Sequence, residues 1–201
     1  MEKLLIALKK NLPGVWRLIE FVNGAVFGVF FGKTFHSNTL QVLSSFDYNR
    51  YHFRLLEDDD LNELHAMLQK QPPGQFEFFK PHPFDRKTLK RLHRNPAFLM
   101  LGVFDGNNLA GYFFLRCFAN KKCFTGRIVD TAYQGQGISK QMGRILHHIA
   151  WRSGFRVFGT ASRDNTWSVR SYQSINNFRI IRELGNNFML IEYLETEEKK
   201  N

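Results

Sequence analysis

The stretch YQGQGISK at residues 133–140 holds the residue types best suited to bind an anion. It follows an apolar run that ends at Val129 and precedes an amphipathic run that begins near Lys140. A loop between a strand and a helix directs several backbone N–H groups, and the positive end of the helix dipole, at one point. Gly135 and Gly137 would let a phosphate approach the backbone closely, although two such glycines can also serve only to turn the chain.

Two common nucleotide-binding motifs do not fit this loop. A Walker loop requires Gly-x-x-x-x-Gly-Lys-Ser/Thr, and neither Gly135 nor Gly137 begins one. A dinucleotide-binding fingerprint requires a third glycine, where Lys140 stands instead, and it belongs early in a doubly wound sheet. A phosphate at this loop must therefore belong to another class of ligand.

The segment VDTAYQGQGIS, residues 129–139, resembles the acyl-CoA loop of the GNAT superfamily of N-acyltransferases. The family pattern is Gln or Arg, two residues, Gly, one residue, then Gly or Ala. This chain has Gln134, Gly137 and Ser139 at those positions, and Ser139 departs from the pattern but is small enough for the same close approach.

A second segment, NTWSVRSY, extends the resemblance. It is similar to the family's Asn-x-x-Ala-x-x-x-Tyr helix, with Asn165, Ser168 and Tyr172 at the matching positions. The order of elements from residue 51 to residue 194 also fits the superfamily. One departure is that the family usually follows its tyrosine with Gly-Phe, whereas this chain reads YQSINNF and has one additional residue, which affects the register of Tyr172.

The resemblance implies transfer of an acetyl group from acetyl-CoA to the amine of a small molecule by direct attack, without an acyl-enzyme and without a metal. An amino sugar or its nucleotide derivative is the more specific expectation. The backbone of Ile128 and Val129 would bond the pantetheine arm and polarise the thioester carbonyl. Asn165 and Ser168 belong to the same cofactor set, with helix capping as the alternative role of Asn165. The pyrophosphate would rest on the loop formed by Gln134, Gly135, Gln136, Gly137, Ile138 and Ser139.

The resemblance makes Tyr172 the general acid that protonates the departing thiolate. A phenol with a pKa near 10 protonates a thiol with a pKa near 8.5 at a cost of about 2 kcal/mol. The general base is less evident, because the strand KCFTGRIV lacks the Glu that many members carry there. His82, Asp130 and a chain of waters are the candidates, and the imidazole of His82 is suited to accept a proton near neutral pH. Structural roles remain the alternatives for Tyr172 and His82.

The pattern of elements predicts an α/β fold of the mixed α+β type. The resemblance implies that its sheet is GNAT-like, which means central, mostly antiparallel, splayed and flanked by helices. We expect a helical N-terminal extension at residues 1–48, an acetyltransferase domain at residues 49–195 and a tail at residues 196–201. In the extension, a first helix precedes Pro13-Gly14. A second runs from Val15 toward Phe31 and ends in a turn region at Gly32, Ser37 and Asn38.

The extension allows three kinds of packing. It can pack on the main domain, on a second subunit in a homodimer, or on a membrane surface through its Phe, Trp and flanking Lys residues. Its most apolar window, residues 21–32, is too short to span a bilayer. The extension also lacks the pattern of a secretory signal, and Cys117 and Cys123 read as reduced thiols. We therefore expect a cytoplasmic protein.

The charge of the chain favours anionic partners. Lys and Arg number 28 and Asp and Glu number 18, an excess of 28 − 18 = 10. The most basic stretch, DRKTLKRLHR, lacks a nucleic-acid-binding motif and is typical of a solvated helix, so nucleic acid is not the expected partner. The adjacent His147 and His148 point apart on a helix and make no metal pair. The alternative function is a non-catalytic basic protein that keeps the fold and binds nucleic acid or membrane.

Overall fold

The computed structural model describes residues 13–46, 48–165 and 177–195, which form a seven-stranded sheet flanked by helices. The helices are α1 (Pro13–Phe30), α2 (Gly32–Ser45), α3 (Asp60–Lys70), α4 (Arg86–His93) and α5 (Ile138–Arg152). The strands are β1 (Tyr51–Leu55), β2 (Phe98–Asp105), β3 (Asn108–Phe118), β4 (Lys122–Val129), β5 (Arg156–Ser162), β6 (Phe178–Glu183) and β7 (Phe188–Tyr193). Short 3-10 turns lie at Pro73–Phe76 and Thr131–Tyr133.

The strand order is β1-β2-β3-β4-β5-β7-β6, and β4 with β5 is the parallel pair among antiparallel neighbours. A hairpin at Asp105-Gly106 joins β2 to β3, and Gly106 has the positive φ of 58° that such a turn needs. The prediction of a mostly antiparallel sheet flanked by helices is confirmed.

Side chains from the two faces of the sheet form two buried clusters. One face packs against α1, α2 and α5, and the other against α3 and α4. Successive residues of a strand point to opposite faces, so β3 places Phe113 in the first cluster and Tyr112 in the second. Strands β2 and β3 therefore have apolar residues on both sides, as their nearly continuous apolar sequences indicate.

The turn region predicted at Gly32, Ser37 and Asn38 is wrong, because these residues lie in α2. Packing on α5 explains the helix: Phe35, Thr39 and Val42 are buried on one face of α2. The Asn38 amide donates to the Arg152 carbonyl oxygen at 3.2 Å and so joins the two helices. Local turn propensity is a weak signal that such tertiary contacts override.

The predicted strand KCFTGRIV and the predicted helix DRKTLKRLHR are present as β4 and α4, within one residue of their expected bounds. The predicted first helix of the extension, the predicted helix at residues 165–176 and the tail fall wholly or mostly outside the described residues. Across residues 13–46, 48–165 and 177–195, no single helix has both the length and the apolar character to cross a membrane. The pair α1 and α2 meets that test together, with a bend of 76° between them.

Candidate active site

A gap opens between β4 and β5 at their carboxyl ends. The two strands pair only through their first residues, ending at Phe124 opposite Phe158. Beyond that point β4 continues to Val129 and β5 continues to Ser162 without pairing to each other. Peptide groups that would otherwise bond across the sheet therefore face this gap, where an extended ligand can bond to them.

The direction of the peptide groups alternates along β4, and this determines which of them face the gap. The N–H of Asp130 donates to the Ala110 carbonyl oxygen of β3 at 2.9 Å. Alternate residues direct their peptide groups to opposite neighbours, so those of Ile128 face β3 and those of Arg127 and Val129 face the gap. Of the two residues expected to bond the pantetheine arm, Val129 is the one whose own backbone groups have the suitable direction.

The glycine loop leads from the end of β4 into α5. Gly135 and Gly137 have φ angles of +77° and +76°, which residues with a side chain rarely adopt. Gly137 is the N-cap of α5 and supplies no side chain to its first turn. The first N–H groups of a helix have no partner within it, so those at the start of α5, together with the helix dipole, suit an anion. The structure holds Gln134, Gln136, Ile138 and Ser139 in the same loop and first turn.

Two tyrosines that the sequence analysis missed support this loop. The Tyr48 hydroxyl donates to the Gln136 carbonyl oxygen at 2.8 Å, and the Tyr51 hydroxyl donates to the Gln136 side-chain oxygen. The two rings are stacked with centroids 6.3 Å apart, and Tyr133 meets Tyr51 edge-on. Both tyrosines precede the loop by more than 80 residues, so no local sequence signal connects them to it.

Arg127 brings a positive charge to the start of α5. Its Nε donates to the Ser139 Oγ at 2.9 Å, and its side chain is half-buried. A guanidinium beside a helix N-terminus strengthens the field that attracts an anion. The same charge also acts on His147. The pKa of His147 is well below its ordinary value, mainly because the ring is buried and in addition because of the Arg127 charge.

Asp130, one candidate for the general base, is held by two hydrogen bonds. Its carboxylate accepts from the Ala132 N–H at 2.9 Å and from the Gln71 amide at 3.0 Å. The Gln71 side-chain oxygen in turn accepts from the Thr131 N–H at 3.1 Å. Gln71 is buried at the end of α3, so the pair joins that helix to the start of the loop. These bonds favour a positioning role for Asp130.

His82, the other candidate, lies in a cluster of aromatic rings. Its Nδ1 is 2.8 Å from the Pro83 carbonyl oxygen, which can only accept, so we assign the hydrogen to Nδ1. Its Nε2 is 3.2 Å from the Tyr112 hydroxyl. Tyr112 is completely buried, which raises its pKa well above the ordinary value and keeps the phenol protonated as the donor. Nε2 therefore has an unshared pair, and that pair accepts the hydrogen bond of the Tyr112 hydroxyl.

The Pro-rich loop that carries His82 crosses the β4–β5 gap. His82 meets Tyr112 on β3, whereas Phe78 of the same loop meets Phe188 on β7 at 6.4 Å. In the strand order, β3 and β7 lie on opposite sides of the gap. The Phe114 ring fills the space over Gly126, where a Cβ atom would come within 2.3 Å of it. The acceptor side of the gap is thus lined by aromatic rings and one imidazole.

The remaining predicted residues are only partly described. The N–H of Asn165 donates to the Ser162 carbonyl oxygen at 3.2 Å, at the end of β5, whereas Ser168 and Tyr172 lie outside the described residues. His147 is buried and His148 is exposed, so they point apart as predicted. No group of three or more His, Cys, Asp or Glu that could hold a metal occurs in the described part of the chain.

The thiols of Cys117 and Cys123 lie on neighbouring strands. The two residues are register partners of β3 and β4, their sulfur atoms are 2.8 Å apart, and both are free and buried. Burial raises the pKa of Cys117 well above its ordinary value, so this thiol stays protonated and is a poor nucleophile.

Comparison with solved structures identifies the fold. The ribosomal-protein-S5-alanine acetyltransferase from Vibrio fischeri has a TM-score of 0.63, with 15% identity over 78% of this chain and 98% of that one. The GNAT domain of S. lividans PAT has a TM-score of 0.62, with 13% identity over 70% and 88%. The PaiA N-acetyltransferase from Thermoplasma acidophilum, in complex with coenzyme A, has a TM-score of 0.59, with 17% identity over 71% and 98%.

No family model matches this sequence, and no curated protein does so either. The structural similarity therefore shows the fold alone, and it agrees with the order of elements in the described residues. The chain has the fold of the GNAT acetyltransferases.

Proposed function

We propose that this protein is an acetyl-CoA-dependent N-acetyltransferase that acts on the amine of a small molecule. One observation carries the proposal: β4 and β5 separate after Phe124, and the glycine loop and the N-terminus of α5 follow the same end of β4. This arrangement offers unpaired peptide groups to an amide-containing arm and N–H groups to a pyrophosphate. The coenzyme A complex of the Thermoplasma acidophilum protein, which has the same fold, supports this ligand.

The cofactor roles follow from this placement. Val129 would bond the pantetheine arm through its own peptide groups, with Ile128 beside it. The loop from Gln134 to Ser139 would cradle the pyrophosphate, with Arg127 adding positive charge. Asn165 and Ser168 would contact the arm from the segment that follows β5. We also propose that residues 49–195 are the acetyltransferase domain, preceded by the extension at 1–48 and followed by the tail at 196–201.

The reaction is a direct acyl transfer. The unshared pair of the acceptor nitrogen forms a bond to the thioester carbon, the carbon–sulfur bond breaks, and the electron pair leaves on sulfur. The nitrogen gives up a proton, which His82 accepts at Nε2, directly or through a water, after the Tyr112 hydroxyl gives up its hydrogen bond to that atom. Tyr172, by its position in the family's helix motif, returns a proton to the thiolate. Asp130 holds the start of the loop, and so its effect on the rate is indirect.

The lining of the gap, rather than the fold, bears on the identity of the acceptor amine. The solved structures of this fold include enzymes whose names give a ribosomal protein or spermidine as the substrate, so the fold does not select the acceptor. The aromatic lining around His82 offers flat apolar faces and one hydrogen-bonding group, which suits a compact ring-containing amine. We propose amino sugars and their nucleotide derivatives as the first acceptors to test.

The test is a screen for acetyl-CoA-dependent thiol release with the purified protein. The panel contains amino sugars, nucleotide-linked amino sugars, polyamines and a peptide with an N-terminal alanine, with acetyl-CoA alone as the control for hydrolysis. We expect amine-dependent thiol release, with the acetylated product confirmed by mass spectrometry. No turnover with any amine, together with no acetyl-CoA binding in calorimetry, would overturn the proposal in favour of a non-catalytic binding protein.

A further inference from the structure

Helix α1 presents an apolar stripe to solvent. Its opposite side is anchored: Phe27 is buried in the core, and Gly24 packs against Asn95. The outer side chains are far more exposed than apolar residues of a packed helix, reaching 71% for Phe21 and 80% for Val29. The exposed members, which we name the apolar stripe, are Leu18, Phe21, Val22, Val29 and Phe30. An exposed patch of this kind marks an interaction site.

A basic row lies beside this stripe. Helices α1 and α4 border a groove of about 600 Å³. On α4, the buried Leu89 and Leu92 face the core, and the basic residues occupy the opposite helical face. The cations that line the groove, which we name the basic row, are Arg17, Lys87, Lys90, Arg91 and Arg94.

The basic row carries excess positive charge. Glu20 is the acid among the residues that line the groove, and it is already shared between Arg91 at 2.6 Å and Arg116 at 2.7 Å. Within residues 13–46, 48–165 and 177–195, the other members of the row have no carboxylate within 4.0 Å. The charge at this surface is therefore available to an anionic partner.

We propose that the apolar stripe and the basic row together form a docking surface for an anionic lipid bilayer. Aliphatic and aromatic side chains on one helix enter the boundary between headgroups and acyl chains, and adjacent Lys and Arg bind the anionic headgroups. Neither part is sufficient alone, because peripheral binding of this kind gains from both apolar burial and charge. The surface is independent of the proposed acetyl transfer.

The charges argue against two other occupants. In a two-fold symmetric dimer the same patch meets itself, so Lys87, Lys90 and Arg94 of one copy would approach those of the other. A nucleic acid would bind the basic row but would leave Phe21 and Val29 exposed to water or to phosphates. A bilayer satisfies both halves of the surface.

The position of the surface leaves the candidate active site open. The Asn23 amide of α1 donates to the Cys117 carbonyl oxygen at 2.9 Å, close to the end of β3 and the start of β4. The glycine loop follows the other end of β4, at Val129. A protein docked through α1 and α4 would therefore hold its cofactor loop away from the bilayer.

The test is sedimentation of the full-length protein with phosphatidylcholine vesicles, with and without phosphatidylserine. We expect binding that requires phosphatidylserine and weakens as salt rises. The variant Lys87→Gln/Lys90→Gln/Arg94→Gln should lower the partition coefficient about 10²-fold, at about a factor of five for each basic side chain near the surface. The matched variant Lys70→Gln/Arg163→Gln/Arg182→Gln removes the same charge elsewhere and should lower it less than about 5-fold.

A second variant tests the apolar half. Leu18→Ser/Phe21→Ser changes exposed residues, so its melting temperature should equal that of the parent while its vesicle binding falls at least 10-fold. Absence of phosphatidylserine-dependent binding by the parent overturns the proposal. So does a Leu18→Ser/Phe21→Ser variant that binds vesicles normally but converts a dimer to a monomer in light scattering. Loss of duplex DNA binding by the basic-row variant, with unchanged vesicle binding, also overturns it.

Discussion

The hydroxyl of Tyr48 lies directly against Gly137: a Cβ atom built on Gly137 would be 2.5 Å from the Tyr48 oxygen. Tyr48, three residues before β1, therefore sets the space available at the start of α5, some 90 residues later. Gly137 must be glycine both for its φ of +76° and for this contact, whereas Gly135 must be glycine only for its φ, because nothing lies within 4 Å of its Cβ position.

Gly137→Ala should impair acetyl-CoA binding more than Gly135→Ala. Both variants carry the strain of a left-handed residue, about 1–2 kcal/mol. Gly137→Ala must in addition displace Tyr48 and with it the Gln136 carbonyl, which disturbs the N–H groups of the loop. Calorimetry with acetyl-CoA measures the affinity, and thermal melting confirms that both variants fold. Equal affinities of the two variants would show that the Tyr48 contact does not shape the anion site.

Tyr48→Phe and Tyr51→Phe should each raise the KM for acetyl-CoA while leaving kcat nearly unchanged. Each variant keeps the ring but removes one hydrogen bond to Gln136, and a bond of this kind contributes about 0.5–1.5 kcal/mol, or roughly 2- to 12-fold. Tyr133→Phe is the control, because its ring meets Tyr51 but the described residues give its hydroxyl no bond. Steady-state kinetics measure KM and kcat of the three variants, and a fall in kcat alone would contradict a positioning role.

His82→Gln should lower kcat by about 10²-fold if Nε2 accepts the proton of the acceptor amine. The matched control is His65→Gln, since His65 also bonds the same loop, through its Nδ1 to the Phe84 carbonyl oxygen at 3.0 Å. That variant should change stability but not the pH dependence of turnover. The pH profile of kcat/KM separates the two: loss of the acidic limb in the His82 variant alone indicates a general base, and identical profiles contradict one.

Glu192→Gln should destabilise the protein at neutral pH by about 1–3 kcal/mol, because Glu192 is buried and bonds Arg156 at 2.6 Å and Arg179 at 2.9 Å. These bonds lower its pKa below the ordinary carboxyl value, with Arg156 as the larger cause. Because the pKa of Glu192 is lower in the folded state, its stabilisation is fully present above the pKa of the unfolded state, near 4.3. It is lost as the pH falls through the pKa of the folded state. Denaturant unfolding at several pH values should show the parent and variant converging under acid conditions.

Phe35→Ala should destabilise the protein by about 3–5 kcal/mol, whereas Phe30→Ala should change its stability by less than about 0.5 kcal/mol. Phe35 is buried in a ring cluster with Phe27 and Phe155, whereas the Phe30 side chain is mostly exposed. Thermal melting of the two variants tests whether α2 belongs to the core. A small effect of Phe35→Ala would show that the helices of the extension pack only loosely.

The sequence by itself determined the elements with a strong local pattern. The glycine loop lies between β4 and α5 as predicted, because the apolar run, the two glycines and the helical periodicity are all encoded within about 25 neighbouring residues. The Asp105-Gly106 hairpin was predictable for the same reason. The helix α2 was not, since Gly32, Ser37 and Asn38 favour a turn locally and only packing on α5 makes the helix the more stable state.

The tertiary structure alone decided what surrounds the candidate site. Tyr48 and Tyr51 reach Gln136 across 88 and 85 residues, and Gln71 reaches Asp130 across 59. His82 was predictable as a loop residue because it stands between two prolines, but its partner Tyr112 was not. Hydrogen bonds between residues so far apart leave no periodic trace in the sequence, because they arise only when the sheet brings separate segments together. The local pattern therefore specifies where the glycine loop lies, and the packed fold specifies which side chains hold that loop in place.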